Sequence, residues 1–266
     1  MDYKFETLGI EVDVDRQLMT VSLLPHSANR KGSPGRHWEL GELFSQLRGD
    51  NSIRVIVVQG TGGVFQVPPK SDDSPSIFTE EHAAWSTFTG VVRCHEAMAD
   101  LEKPIIAKVN GDAIGFGSSL AFACDLIVAV KTARFADHHL SMGELEGVER
   151  SWGVVPGDGG IALAPLVMSP YRAKEYLMLG RPYTADDLER IGVINYAVDE
   201  SELDALVSRL AEMLLKRGAY SLAWTKRLAG RVAAQEMRMV LDASAAYELV
   251  DFYQIFHRGS GQNPRL

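Results

Sequence analysis

The chain of 266 residues is 46% hydrophobic and 23% charged, the balance of an ordinary soluble globular protein, and it is long enough to bury a sizeable core. Its formal net charge of −8 argues against a nucleic-acid or anionic-membrane surface, which needs clustered Lys and Arg. Two cysteines, Cys94 and Cys124, are too few and too far apart for a disulfide framework or a zinc knuckle.

The start, "MDYKFETLGI", lacks the basic head and apolar run of a signal peptide, and no apolar stretch reaches the ~18 residues of a membrane span. A cytoplasmic protein is expected. Alternation in "IEVDVD" and "LMTVSLL" predicts two short strands with a turn near Asp15-Arg16. In "HWELGELFSQLRGD", Leu40, Leu43, Phe44 and Leu47 recur at helical spacing. The unbroken Ile/Val run of "IRVIVVQG" suits a strand covered on both faces.

After the Pro/Gly-rich "TGGVFQVPPKSDDSPS", the residues Trp85, Phe88, Val92, His95 and Met98 mark one face of a long helix. Then come a strand "PIIAKV", a Gly-rich turn "NGDAIGFG", a small-residue helix "SSLAFACD" and a strand "LIVAV". Beyond Gly159 the chain is mostly helical. Ser169-Pro170 and Gly180 bracket one helix, Thr184 to Asp187 is a capping-box variant opening another, "VINYAV" is a last strand, and three helices follow it. Strand–helix–strand alternation without a long linker predicts one α/β domain of crossover units, with residues 1–200 as core and 201–266 as its helical C-terminal region.

The Gly-rich turn places Gly115 and Gly117 around Phe116 where a helix begins. Unbonded amide N–H groups at a helix start suit a developing oxyanion, although such glycines also serve mere close packing. The segments "KPIIAKVNGDAIGFGSSLAFACDLIVAVKTARFAD" and "VVPGDGGIALAPLVMSPYRAKEYLMLGRPYTADDLERIGVINYAVDESEL" resemble, in order, the enoyl-CoA hydratase/isomerase (crotonase) superfamily.

That resemblance implies a crotonase-like β-β-α spiral with a C-terminal helical trimerisation region, a homotrimer or dimer of trimers, and an acyl-CoA thioester substrate with no separate cofactor. It implies an oxyanion hole of two backbone N–H groups, those of Val67 and Phe116. Backbone groups of Ser27 and Ala28 in "LPHSANRK" would follow the CoA moiety, with His26 nearby and Arg30 and Lys31 offering charge to its phosphates. Gly115, Gly157 and Trp152 complete the expected substrate-binding set.

The two glutamates of the best-known hydratases correspond here to Ser119 and His139. Serine has no useful acid near neutral pH, so ordinary two-glutamate hydration is not expected. Imidazole titrates near neutrality, which makes His139 the candidate acid/base; His138 is its rival, and alternation along an extended segment lets only one of them face the site. Asp158 of "VVPGDGG" is either a helix cap or the carboxylate partner of His139. The second role matches the "VPGDG" aspartate and histidine of 6-oxocamphor hydrolase, a carbon–carbon bond hydrolase of the superfamily.

The insertion "ELEGVERSWG" offers Glu144, Glu146 and Glu149 as further carboxylates. Asp137, His138, His139 and Asp158 are metal-ligand types without zinc spacing, and no metal is assigned. Ser141 beside His139 lacks a G-x-S-x-G elbow. The expected activity is enolate chemistry on an acyl-CoA, with hydrolysis of a β-diketone or β-keto-acyl carbon–carbon bond and a catalytically silent acyl-CoA-binding oligomer as alternatives.

Overall fold

The structure, a computed structural model, describes residues 3–25, 35–68, 81–140 and 153–257. Strands β1 (Leu8–Asp13) and β2 (Leu18–Leu23) form the expected hairpin, and α1 (Gly35–Leu47) then leads to β3 (Val55–Gly60). Helix α2 (Glu81–Asp100), β4 (Ile105–Val109), β5 (Ala113–Ile114), α3 (Phe116–Phe122), β6 (Leu126–Val130) and β7 (Arg134–Ala136) follow. The remainder comprises α4 (Gly160–Val167), α5 (Pro170–Leu179), β8 (Tyr183–Thr184), α6 (Ala185–Arg190), β9 (Tyr196–Val198), α7 (Glu200–Leu215), α8 (Ala219–Ala229) and α9 (Arg231–His257).

Among the described residues, six strands pair in the order β1-β2-β3-β4-β6-β9, parallel except for the opening hairpin. A second sheet takes β5, β7 and β8, and Gln66 bridges to Ala113 at its edge. After β3, β4 and β6 the chain crosses in turn to Gln66, β5 and β7, so each pass feeds one segment to each sheet. This repeated β-β-α pass is the spiral implied by the sequence resemblance. The apolar runs of β3, β4 and β6 are almost wholly buried, as parallel strands covered on both faces must be.

Leu40, Leu43, Phe44 and Leu47 are fully buried, and α1 packs along α2. On α2 the expected buried face holds for Phe88, His95 and Met98, whereas Trp85 is 66% exposed. It lies one turn before the buried stretch begins. The helix punctuation is as read: Pro170 opens α5 after Ser169, a left-handed Gly180 ends it, and Thr184 and Asp187 exchange capping-box hydrogen bonds at α6. Helix α9 packs on α2 and α4, which carries the last long helix to the ends of β5 and β7.

Candidate active site

Strand β7 delivers Asp137, His138 and His139 into the interior, all buried. Asp137 Oδ1 accepts the backbone N–H of His139 at 3.0 Å and faces its Nδ1 at 2.8 Å. Nδ1 therefore carries the proton toward Asp137, and Nε2 turns to Glu248 Oε1 at 3.3 Å and Asp158 Oδ2 at 3.6 Å. The fold-back of His139 onto Asp137 breaks the alternation expected of an extended segment. Both histidines consequently lie inside, with ring centroids 4.5 Å apart.

The glycines around Asp158 each make room for a neighbour. A Cβ on Gly157 would meet Ser244 O at 2.5 Å and Glu248 Oε2 at 2.6 Å, and one on Gly160 would meet Asp137 Oδ2 at 2.5 Å. At Gly159, where φ is +110°, it would meet His95 Nε2 at 2.6 Å and Ser119 Cβ at 3.0 Å. Three close approaches thus surround the segment that carries Asp158. The cap of α4 is Gly159 in a left-handed conformation, so Asp158 stands one residue before the N-cap while its carboxylate takes a hydrogen bond from the Gly160 backbone. Asp251 Oδ2 accepts the Val155 N–H at 3.0 Å, and the His139 carbonyl accepts that of Gly153 at 2.8 Å, tying this segment to both walls of the site.

Burial alone would drive His139 to its neutral form. Asp137 and then Asp158 override it electrostatically, with hydrogen bonds to Asp137 and Glu248, and hold the imidazole well above its usual range. Burial raises Asp137 too, but the adjacent His139 charge and hydrogen bonds leave it below the normal carboxylate range. Asp158 is pushed up to about 7 by burial and by the negative charges of Asp137 and Glu248, against the pull of His139. Glu248 is raised mainly by burial. One imidazolium cannot neutralise three buried carboxylates, so near neutrality a proton resides on the Asp158/Glu248 side. Burial and the His139 charge push His138 down to about 3, which keeps it uncharged.

Asp137, His139 and Asp158 each bring a potential ligand atom within 4.8 Å of the others. With Nδ1 engaged by Asp137, the His139 Nε2 is left to face Asp158 and Glu248.

The segment Phe65–Val67 runs beside β5: Asp112 O accepts the N–H groups of Phe65 and Gln66, and Gln66 O accepts that of Ile114 at 2.8 Å. This brings Val67 alongside the turn that holds Gly115 and Phe116. Phe116 opens α3, where the leading N–H groups of a helix have no intrahelical acceptor, while those of Ser118 and Ser119 turn back to Gly115 O. The Phe116 ring is buried in the core, edge-on to His37 at 4.0 Å and to His95 at 5.9 Å. A Cβ on Gly115 would lie 2.5 Å from His138 Nδ1 and 3.6 Å from Asp158 Oδ2, so this turn and the acid–base cluster are adjacent.

Ser119 is fully buried beside Gly159, with Oγ at 3.4 Å from Gly115 O. The Gly115 N–H is spent on Ala136 O at 2.8 Å, and Gly157 faces α9. His26, Ser27, Ala28, Arg30, Lys31, Ser141, Glu144, Glu146, Glu149 and Trp152 lie outside the described residues.

Sequence reasoning missed Glu248 and the orienting role of Asp137. Glu248 was detectable: it shares a buried helical stripe with Met237, Leu241, Ser244, Ala245 and Phe252, where a carboxylate is out of place unless paired.

A family model described as enoyl-CoA hydratase/isomerase matches residues 33–262. A carnitinyl-CoA dehydratase of Salmonella heidelberg (strain SL476) is 31% identical over an alignment of 201 positions, with 71% of this chain and 68% of that protein covered. Among solved structures, an enoyl-CoA hydratase/isomerase from Mycobacterium paratuberculosis superposes with a TM-score of 0.79 at 24% identity, covering 96% of this chain and 98% of the other. A beta-diketone hydrolase from Anabaena sp. PCC 7120, bound to (S)-3-oxocyclohexyl acetic acid, gives 0.80 at 22% identity, with 95% and 96% covered. These two likenesses show the fold; the match to the family model over nearly the whole chain, together with the dehydratase relative, makes this chain an enzyme of the enoyl-CoA hydratase/isomerase family.

Proposed function

We propose that the protein forms and discharges an enolate of an acyl-CoA thioester. The observation that carries this reading is the buried Asp137–His139–Asp158–Glu248 cluster abutting the Gly115–Phe116 turn. In it, the Val67 and Phe116 N–H groups receive the thioester oxygen as it gains negative charge. Ionised Asp158 accepts a proton from the substrate, and the His139 imidazolium, oriented by Asp137, returns one. Ser27, Ala28 and Arg30 are proposed for the CoA moiety, and Trp152 for a pocket wall. CoA enters as part of the substrate, and no further cofactor is required by this chemistry.

The likeness to the Anabaena beta-diketone hydrolase favours a second reading. A β-diketone yields the same kind of enolate when a carbon–carbon bond breaks, and ionised Asp158 beside the His139 imidazolium suits activation of water for that cleavage. The two readings separate by ligand-dependent melting. A ligand at about a hundred times its Kd stabilises the folded state by about 3 kcal/mol. At equal concentration butyryl-CoA is expected to raise Tm well beyond any rise given by cyclohexane-1,3-dione, which lacks the CoA contacts; no rise with butyryl-CoA beside a clear rise with the dione would replace the thioester reading by the diketone one. Mass changes across a panel of enoyl- and β-keto-acyl-CoAs then distinguish water addition from carbon–carbon cleavage.

A further inference from the structure

Arg36 occupies the first turn of α1 and is buried, with only 4% of its surface exposed. A cation there opposes the helix dipole and loses its hydration, two costs that a surface-facing residue would avoid. Its nearest carboxylate in sequence, Glu39, is committed elsewhere: it accepts the N–H of Glu6 at 2.9 Å, the N–H of Thr7 at 2.8 Å and the Thr7 hydroxyl. Among the described residues, Arg36 has no ion pair. Its Nη2 donates to Leu24 O, its Nη1 donates to Gln66 Oε1, and its Nε is buried without an acceptor. Burial lowers the guanidinium to about 10, partly offset by Glu39, so it stays charged at neutral pH.

Gln66 passes this contact on. Its Oε1 faces Arg36, its Nε2 donates to Val67 O at 3.2 Å, and its carbonyl holds Ile114. The same residue limits how close α3 comes, since a Cβ on Gly117 would meet Gln66 O at 2.3 Å. One guanidinium therefore fixes the end of β2, the Val67 segment and, through Gln66, the start of α3.

We infer that Arg36 is a positioning residue of the oxyanion side, aligning Val67 through Gln66 and lending a buried positive charge behind the developing enolate. The inference rests on the enolate reading above, with Val67 as a donor. A buried charge of fixed sign, linked to Val67 through the two ends of the Gln66 amide, acts in a medium of low dielectric, where it is screened little. That function offsets the two costs of keeping Arg36 inside.

The test uses full-length protein and two spectroscopic probes. Cinnamoyl-CoA absorbs further to the red when its thioester carbonyl is polarised, and cyclohexane-1,3-dione reports enolate stabilisation through its apparent pKa when bound. Wild type is expected to shift the first band and lower the second pKa. In Arg36→Met both probes still bind, the red shift is lost, and the dione pKa rises by about one unit, a roughly tenfold loss of enolate stabilisation. Arg36→Lys restores most of both signals. A purely structural role would not be rescued spectroscopically by charge alone. Should Arg36→Met fail to fold, Gln66→Leu is expected to lose the same signals by releasing Nη1 from the Val67 segment.

Wild-type band and pKa in Arg36→Met or in Gln66→Leu would overturn the inference. A wild type that leaves cinnamoyl-CoA unshifted yet lowers the dione pKa, with Arg36→Met reversing that effect, overturns the thioester reading and supports the Arg36 inference.

Discussion

His139 works within a set of charges that no single neighbour could balance, and its environment makes definite demands on pH. On the proposed assignment Asp158 acts as a carboxylate and His139 as an imidazolium. Activity is therefore expected to rise as pH passes about 7, where Asp158 ionises, and to fall only where His139 loses its raised hold on the proton. Asp158→Asn and His139→Ala are each expected to lower kcat/KM by at least about a hundredfold, and Asp158→Asn to abolish the rising limb. Wild-type rates in either variant would remove these residues from the mechanism. His95 makes a separate prediction about stability. Burial pushes it down to about 4, so the unfolded chain binds a proton between pH 6.5 and 4 that the native state refuses. Stability should fall over that window as pH drops, by on the order of 3 kcal/mol from this residue. Urea titrations of His95→Leu should show a flatter dependence there. Of these residues, His139 and Asp158 were legible because motif order fixed their positions, whereas Asp137 was legible only as a residue type. Its role depends on a backbone reversal at His139 that no periodicity reveals.

Close approach governs the elements around the site. Gly157 lets α9 lie against the "VVPGDGG" segment, and the atoms a side chain would strike there include the backbone of Ser244, which cannot swing away. Gly157→Ala should push α9 outward, part Glu248 from His139, and cost roughly 1–3 kcal/mol of stability, the usual penalty for overpacking. Thermal melting and turnover measured together check this: an unchanged Tm would mean that α9 is free to shift. The long helices, the hairpin and the buried parallel strands were readable from spacing, capping residues and Ile/Val runs. The two- and three-residue strands β5, β7 and β8 were not, because so short a run carries no period. Trp85 shows the converse: helical spacing defines a face, yet the packing partner decides how far along it burial extends.

At the scale of the molecule, α8 and α9 leave large apolar side chains exposed, among them Tyr220, Val232, Met239, Tyr247 and Tyr253, each at least 60% accessible. Surface of that kind on neighbouring helices suits contact with further copies of the chain, and a homotrimer or dimer of trimers is proposed. Light scattering should return three or six times the 29.2 kDa chain mass. Val232→Glu with Met239→Glu should reduce it to one chain; a wild-type monomer at micromolar concentration would dismiss the proposal. Among the described residues, no helix is long and apolar enough to cross a membrane.

The union of β7, the glycine segment and α9 also sets a schedule for synthesis. Asp137, His139 and Asp158 leave the ribosome about 90 to 110 residues before Glu248, at roughly 5–20 residues per second. A nascent chain folding from its N-terminal side meets those three groups first and lacks the helix that covers them. The third carboxylate and the Asp251 anchor arrive together on one helix, so covering the cluster and completing it are a single late event in the life of each molecule.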